Sequence, residues 1–269
     1  MISFHRILAY TVRHLYLYKR SMPRLMEVFY WPVLDLLVWG FVTVYLSRQS
    51  GEVPQFVTFF LGALILWDIL FRSQQGISVS FLEDVWSRNL LNIFVSPMSA
   101  TEYVLSLLFL SIIKLLLTST VMVTLALLLY RFNIFDIGLA LVPLVLNLVV
   151  MGWAVGIVTT ALILRFGQEA EVLAWGIALL FQPFSAVFYP VAVLPWFLRA
   201  VAHFVPAAHV FEGMRMVIEG QAFPARELAW AAGLNVLYVV FSVLFFYWNF
   251  KVVKRKGLLA KVGEYEGED

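Results

Sequence analysis

A chain of 269 residues that is 62% hydrophobic and only 13% charged lacks the roughly one-quarter share of Asp, Glu, Lys and Arg that keeps a soluble domain solvated. A bilayer is the natural solvent for that excess of apolar surface. The net charge of +2 offers no strong field for nucleic acid, and the absence of cysteine excludes a disulfide framework, thiolate metal sites and cysteine nucleophiles.

In chain order, residues 2–20 predict an amphipathic helix. Ile7, Leu8, Val12 and Leu15 recur at helical spacing while Arg6, Arg13 and Lys19 fall on other faces, the pattern of a helix lying at a membrane interface. These cations interrupt the segment, so no secretory signal peptide is evident. Apolar runs long enough to span follow at 27–47, 56–76, 102–129, 137–163, 172–189 and 228–250. Residues 77–100 are polar enough to leave the bilayer, and prolines break up 190–226. A charged tail runs from Lys251 to Asp269. The expected fold is therefore an all-α integral membrane protein forming a single transmembrane domain over residues 1–269. It has six transmembrane helices, an N-terminal cytoplasmic interfacial helix and a re-entrant helical region between spans five and six. No internal repeat or linker is apparent. Lys and Arg collect on the side of the two termini, which the positive-inside rule places in the cytoplasm.

Within 77–100, Ser80 and Glu83 have the spacing of a capping box, and Pro97 is a helix stop. This predicts a short amphipathic helix over 80–97, lying on the cytoplasmic surface. It is either a plain surface helix or a docking element in which Glu83, Asp84 and Arg88 set register while Trp86 and Leu90 supply contact area. Glu169 and Glu171, ahead of the fifth span, suit a helix N-terminus and also lie within reach of such a partner. Asp35, Asp68 and Lys114 fall inside spans, where ionisable groups are functional candidates. Lys114 is expected to pair with one of the two acids or to face water. The stretch 181–215 holds Pro183, Pro190, Pro195 and Pro206, followed by His209, Glu212 and Arg215. It cannot be one straight helix and reads as a hairpin entering from the outer side, or as an outer loop with an interfacial helix. The four histidines lack metal-ligand spacing, and no phosphate-binding loop occurs.

Two stretches resemble a known family: Asn89 to Ser99, an apolar run ending in Ser-Pro-Met-Ser, and the proline-rich region from Phe188 through Pro195 to Pro206, His209, Glu212 and Arg215. They are similar to the permease subunits of the ABC type 2 exporters of polysaccharides, lipo-oligosaccharides and drugs. The resemblance implies a homodimer in a bacterial inner membrane or its equivalent, with two copies of a separate ATPase subunit that hold the ATP and Mg. This chain would bind no cofactor and catalyse nothing. By the same resemblance, Glu83 to Ser96 would be the coupling helix, with Glu169 and Glu171 nearby. The cargo would be a glycan, lipid-linked glycan, lipid or drug. The rival reading is a stand-alone secondary transporter with Asp35, Asp68 and Lys114 as an ion relay; such transporters are often built from repeats.

Overall fold

The computed structural model describes residues 2–50 and 54–257; the tail beyond Gly257, Lys261 included, lies outside the described residues. The described residues form helices and no strand. In order these are α1 (Phe4–Arg20), α2 (Met22–Ser50), α3 (Pro54–Trp86), α4 (Leu90–Val95), α5 (Ala100–Tyr130), α6 (Leu141–Phe166), α7 (Leu173–Phe181), α8 (Trp196–Ala202), α9 (Pro206–Ile218) and α10 (Ala225–Arg255).

Helix α3 is the axis of the bundle. Its residues 61–70 are almost wholly buried, and small residues on α3 and on its neighbours let backbones approach closely. A Cβ added at Gly76 would meet Ser111 Cα on α5 at 2.8 Å. One added at Gly152 would meet the Leu70 carbonyl at 2.6 Å, and one at Gly156 the Gln74 carbonyl at 3.0 Å. Gly152 and Gly156 form a Gly-x-x-x-Gly pattern on α6, the small-residue seam by which helices pack in lipid, where no hydrophobic force draws them together.

The sequence expectation ends the second span at 76 and begins a separate helix at 80. Instead α3 runs unbroken to Trp86. Ser80 caps nothing: its hydroxyl donates to the Gly76 carbonyl one turn back at 2.7 Å. Ile77, Phe81, Leu82 and Val85 are buried, and the carboxylates of Glu83 and Asp84 find partners on α1, so nothing forces the helix to end. The chain turns only at Arg88, with φ of 53°, and α4 is six residues long. The capping box lies further on: Ser99 accepts from the Glu102 amide and Glu102 accepts from the Ser99 amide at 2.7 Å, which starts α5.

Side-chain pairs give the directions. Asn147 meets Asn235 and Arg165 meets Asn249, so α6 and α10 run parallel. Gly152 and Gly156 meet Leu70 and Gln74 in the same order, so α3 runs with them. Asp84 meets Tyr103, and Ser73 meets Ser111, so α5 runs against α3. Tyr130, at the end of α5, hydrogen-bonds the Leu36 carbonyl at 3.1 Å, which fixes α2 beside α5. One end of the bundle therefore carries α1 and α4, and the other carries α8, α9 and the 3-10 turn at Ile134–Ala140.

Among the described residues, five helices are long and apolar enough to cross a membrane, with spans Phe29–Leu46, Val57–Trp86, Ala100–Tyr130, Ile134–Ala170 and Ala225–Arg255. The chain is thus a multi-pass membrane protein. The segment expected as a span at 172–189 is a nine-residue helix, α7, followed by irregular backbone. Alone, α7 covers about 14 Å, half of a hydrocarbon core.

Candidate functional site

The end that carries α1 is built around two buried carboxylates. Glu83 is 5% exposed and Asp84 is 1% exposed, where the sequence reading has them at the surface. The correction follows from α1. Tyr10, His14 and Tyr18 recur every fourth residue on its buried face, while Leu8 and Val12 face outward. Tyr10 donates a hydrogen bond to Asp84, Tyr103 donates to it at 3.0 Å and Arg13 at 3.2 Å. Tyr18 donates to Glu83 at 2.8 Å. His14, fully buried, has a ring nitrogen 3.5 Å from each carboxylate. Burial by itself would push the imidazole down, but the adjacent Asp84 and Glu83 outweigh it, and the His14 pKa lies above its ordinary 6.5. Burial, with the Asp84 charge added, pushes the Tyr10 phenol well above 10. A third carboxylate completes the joint. Glu102 accepts from the Ser3 amide at 2.7 Å and pairs with Arg6 at 3.3 Å, and Arg6 also reaches the Pro97 carbonyl at 2.6 Å. Thus α1 is fastened to α3, α5 and the 96–99 turn together.

What remains on the surface is the turn and α4. Leu90 is 3% exposed and belongs to the core, so the expectation that it supplies contact area is corrected. The exposed apolar side chains are its neighbours Leu91 at 47% and Val95 at 79%, with Trp86 at 43%. Arg88 is exposed, as expected. Trp86 stacks on Trp175 and donates to Glu171 at 3.1 Å, which brings Glu171 to the same surface, while Glu169 stands exposed on the adjoining 3-10 turn. A groove of about 440 Å³ runs between α1 and α4, edged by Arg6, Arg13, Asn89, Asn92 and Pro97.

The three intramembrane groups do not form one network. Lys114 donates to the Tyr18 hydroxyl at 2.5 Å and to Ser80 at 2.7 Å, and it lies 4.3 Å from the centre of the Tyr18 ring. Asp68 pairs with Arg72 one turn on, at 3.1 Å. No ion pair joins Lys114 to either acid among the described residues. Asp35 and Asp68 instead face a common cavity of about 440 Å³ between α2, α3 and α7.

At the opposite end the proline-rich stretch folds into a strap. Pro190 precedes a 3-10 turn, Pro195 leads into α8, and Pro206 is the first residue of α9. Arg215, buried on α9, donates to the carbonyls of Ala186, Val187 and Tyr189. Ala186 has φ of 50°, a left-handed conformation that an alanine holds at a cost of about 1–2 kcal/mol, and Arg215 offsets it. Glu212 accepts from the Val191 amide at 2.6 Å and pairs with Arg215 at 3.1 Å. His209 contacts Glu227 on α10 at 2.6 Å. Glu212, His209, Glu227 and Pro190 border a cavity of about 730 Å³, walled also by Phe204 and Trp230. No cluster of metal-binding side chains occurs among the described residues.

His14 and the tyrosines of α1 are the site residues that sequence reasoning missed. The every-fourth-residue spacing of Tyr10, His14 and Tyr18 was the available signal, but it marks a polar face turned inward. No curated protein matches the chain. A family model described as ABC-2 family transporter protein matches residues 39–248, which hold α3 to α9 whole, the C-terminal part of α2 and most of α10. The chain therefore belongs to the ABC-2 transporter family, and is a membrane permease of an ABC exporter.

Proposed function

We propose that the chain forms the transport path of an ATP-driven exporter as a homodimer, with two separate ATPase subunits that bind ATP and Mg²⁺ on the surface of α4. The observation that carries this reading is the fastening of that surface. Leu91 and Val95 are exposed apolar residues on a helix too short to stand alone, yet the neighbouring turn and α1 are tied by carboxylates to α3 and α5. A push on α4 would pass into two spanning helices and not dissipate in a loop. Trp86, Arg88, Glu169 and Glu171 border the same surface; Glu83 and Asp84 transmit from beneath it.

The helix directions support six crossings. With α6 and α10 parallel, the chain between them must return. The segment from α7 onward makes that return: Ala174 accepts a hydrogen bond from Ser78, and Phe188 stacks on Phe60, about 27 Å away along α3. Beyond it, α8 and α9 with Pro190, Pro195, Pro206, His209, Glu212 and Arg215 form the re-entrant region. The end with α1 faces the cytoplasm, where the Lys and Arg excess lies and where both termini belong. On α1, Leu8 and Val12 turn toward the acyl boundary of the inner membrane or its equivalent.

The test is Val95→Asp in membranes that hold both subunits. The expected result is normal insertion with ATP hydrolysis no longer stimulated by cargo, and export lowered about ten-fold or more. Full coupling in that variant, or recovery of the permease with no ATPase subunit from a mild detergent, overturns the assignment. Leu90→Asp is not a substitute, because burying that charge would unfold the joint.

A further inference from the structure

The cavity between α2, α3 and α7 is built from three helical stripes. On α2, Trp31, Asp35 and Trp39 recur every fourth residue. On α3, Trp67, Asp68, Phe71, Arg72 and Gln75 share one face, Trp175 comes from α7 and Gln182 from the residue that follows it. Side chains three and four apart on a helix stack above one another, so each stripe presents a continuous wall. At about 440 Å³ the space is within the range of small-molecule sites, roughly 300–1,000 Å³.

The charges in the cavity are not balanced. Asp68 is taken up by Arg72 at 3.1 Å. The other contacts of Arg72 are also internal: its Nη1 donates to Gln75 at 2.7 Å and its guanidinium lies 5.5 Å from the Phe71 ring. Asp35 makes no ion pair among the described residues and stands between two exposed tryptophans on its own helix. Two carboxylates and one guanidinium leave one negative charge, surrounded by indole faces. A cation held over aromatic faces gains from the ring quadrupole, more so once water is excluded, and a carboxylate adds the matching charge. An anion would meet the opposite field, with Arg72 already engaged. The location within the spanning region adds an apolar requirement on the rest of the ligand.

We propose that this cavity is a binding site for a lipophilic monovalent cation, such as an amine or quaternary onium group on an aromatic or aliphatic body. Asp35 is its counter-ion, and Trp31, Trp39 and Trp67 enclose it. The proposal names a cargo class for the exporter and so rests on that reading, but its test needs neither ATPase nor transport.

The purified permease in lipid nanodiscs is titrated with tetraphenylphosphonium and, separately, with its neutral analogue triphenylphosphine oxide, followed by tryptophan fluorescence and equilibrium dialysis. The expected result is saturable binding of the cation and binding of the neutral compound at least ten-fold weaker. Asp35→Asn should weaken cation binding about ten-fold and leave the neutral compound unchanged. Trp39→Leu, which keeps the charge, should weaken cation binding also, while the thermal midpoints of both variants stay near that of the parent. Equal binding of the two compounds, or cation binding unaltered by Asp35→Asn, overturns the proposal; the first of these outcomes identifies a neutral amphiphile site. Failure here leaves the coupling test at Val95 untouched, and failure at Val95 leaves this titration readable.

Discussion

Asp84 shows how a charge survives near the edge of an apolar bundle. It accepts from Tyr10 and Tyr103, has Arg13 at 3.2 Å, and lies 3.5 Å from His14. A carboxylate with this many partners is held in one geometry, and removing the charge breaks several contacts together. His14 makes the joint sensitive to pH. Its pKa is raised in the folded state, so its protonated form stabilises the docked α1. That contribution is fully present below the unfolded value near 6.5 and is lost as pH rises through the raised folded value. Thermal melts of the solubilised protein between pH 6 and 9 are expected to fall across that window. In His14→Gln the fall should flatten; an unchanged slope would assign it to other groups. The same residues show what one-dimensional reading misses. Glu83 and Asp84 read as surface charges because most of their partners lie over sixty residues away, on a helix whose inward face is polar. Leu90 reads as a contact residue because spacing along a helix does not say which face is covered.

At the scale of elements, helix existence was legible and helix ends were not. Hydrophobic runs located α2, α3, α5, α6 and α10, since a run of about 20 apolar residues has few alternatives to a membrane span. The extra length of α3 was hidden because polar residues at 78, 80, 83 and 84 imitate a loop until their partners are known. The close seams were legible in principle, Gly152 and Gly156 being a small-residue pattern in an apolar run. Their energetic meaning depends on what faces them. A leucine at Gly156 would drive its side chain into the backbone of α3 at Gln74 and into Ile77. Gly156→Leu is expected to lower stability by about 1–3 kcal/mol or more, the usual cost of overpacking, with the thermal midpoint in detergent as the measurement. Gly233→Leu is the control, because nothing lies within 4 Å of a Cβ there.

For the whole molecule, the question is how the chain passes from α6 to α10. Parallel α6 and α10 require a return, and the irregular segment after α7 lies along α3 with Phe188 against Phe60. Such backbone is tolerated at membrane depth when protein covers it, and Arg215 supplies three of the hydrogen bonds it needs. The absence of native cysteine makes the topology directly measurable. Single cysteines at Glu169 and at Trp196, both exposed, are expected to react with a membrane-impermeant maleimide from opposite faces of sealed vesicles. Labelling of both from one face would mean five crossings. The same experiment gives the orientation of the α1 end.

Composition and hydrophobic length determined by themselves that this is a helical membrane protein. The apolar run ending at Pro97 and the prolines before α10 pointed to the ABC-2 family, which the match over residues 39–248 shows. These are properties of contiguous sequence, so no folding is needed to read them. Tertiary structure alone decided which charges are buried, which face of α4 is free, and that Lys114 is held by Tyr18 and Ser80 while Asp35 and Asp68 share an aromatic cavity. Those outcomes depend on pairings between distant segments, because in a low-dielectric bundle a polar group is placed by its partner and not by its neighbours in sequence.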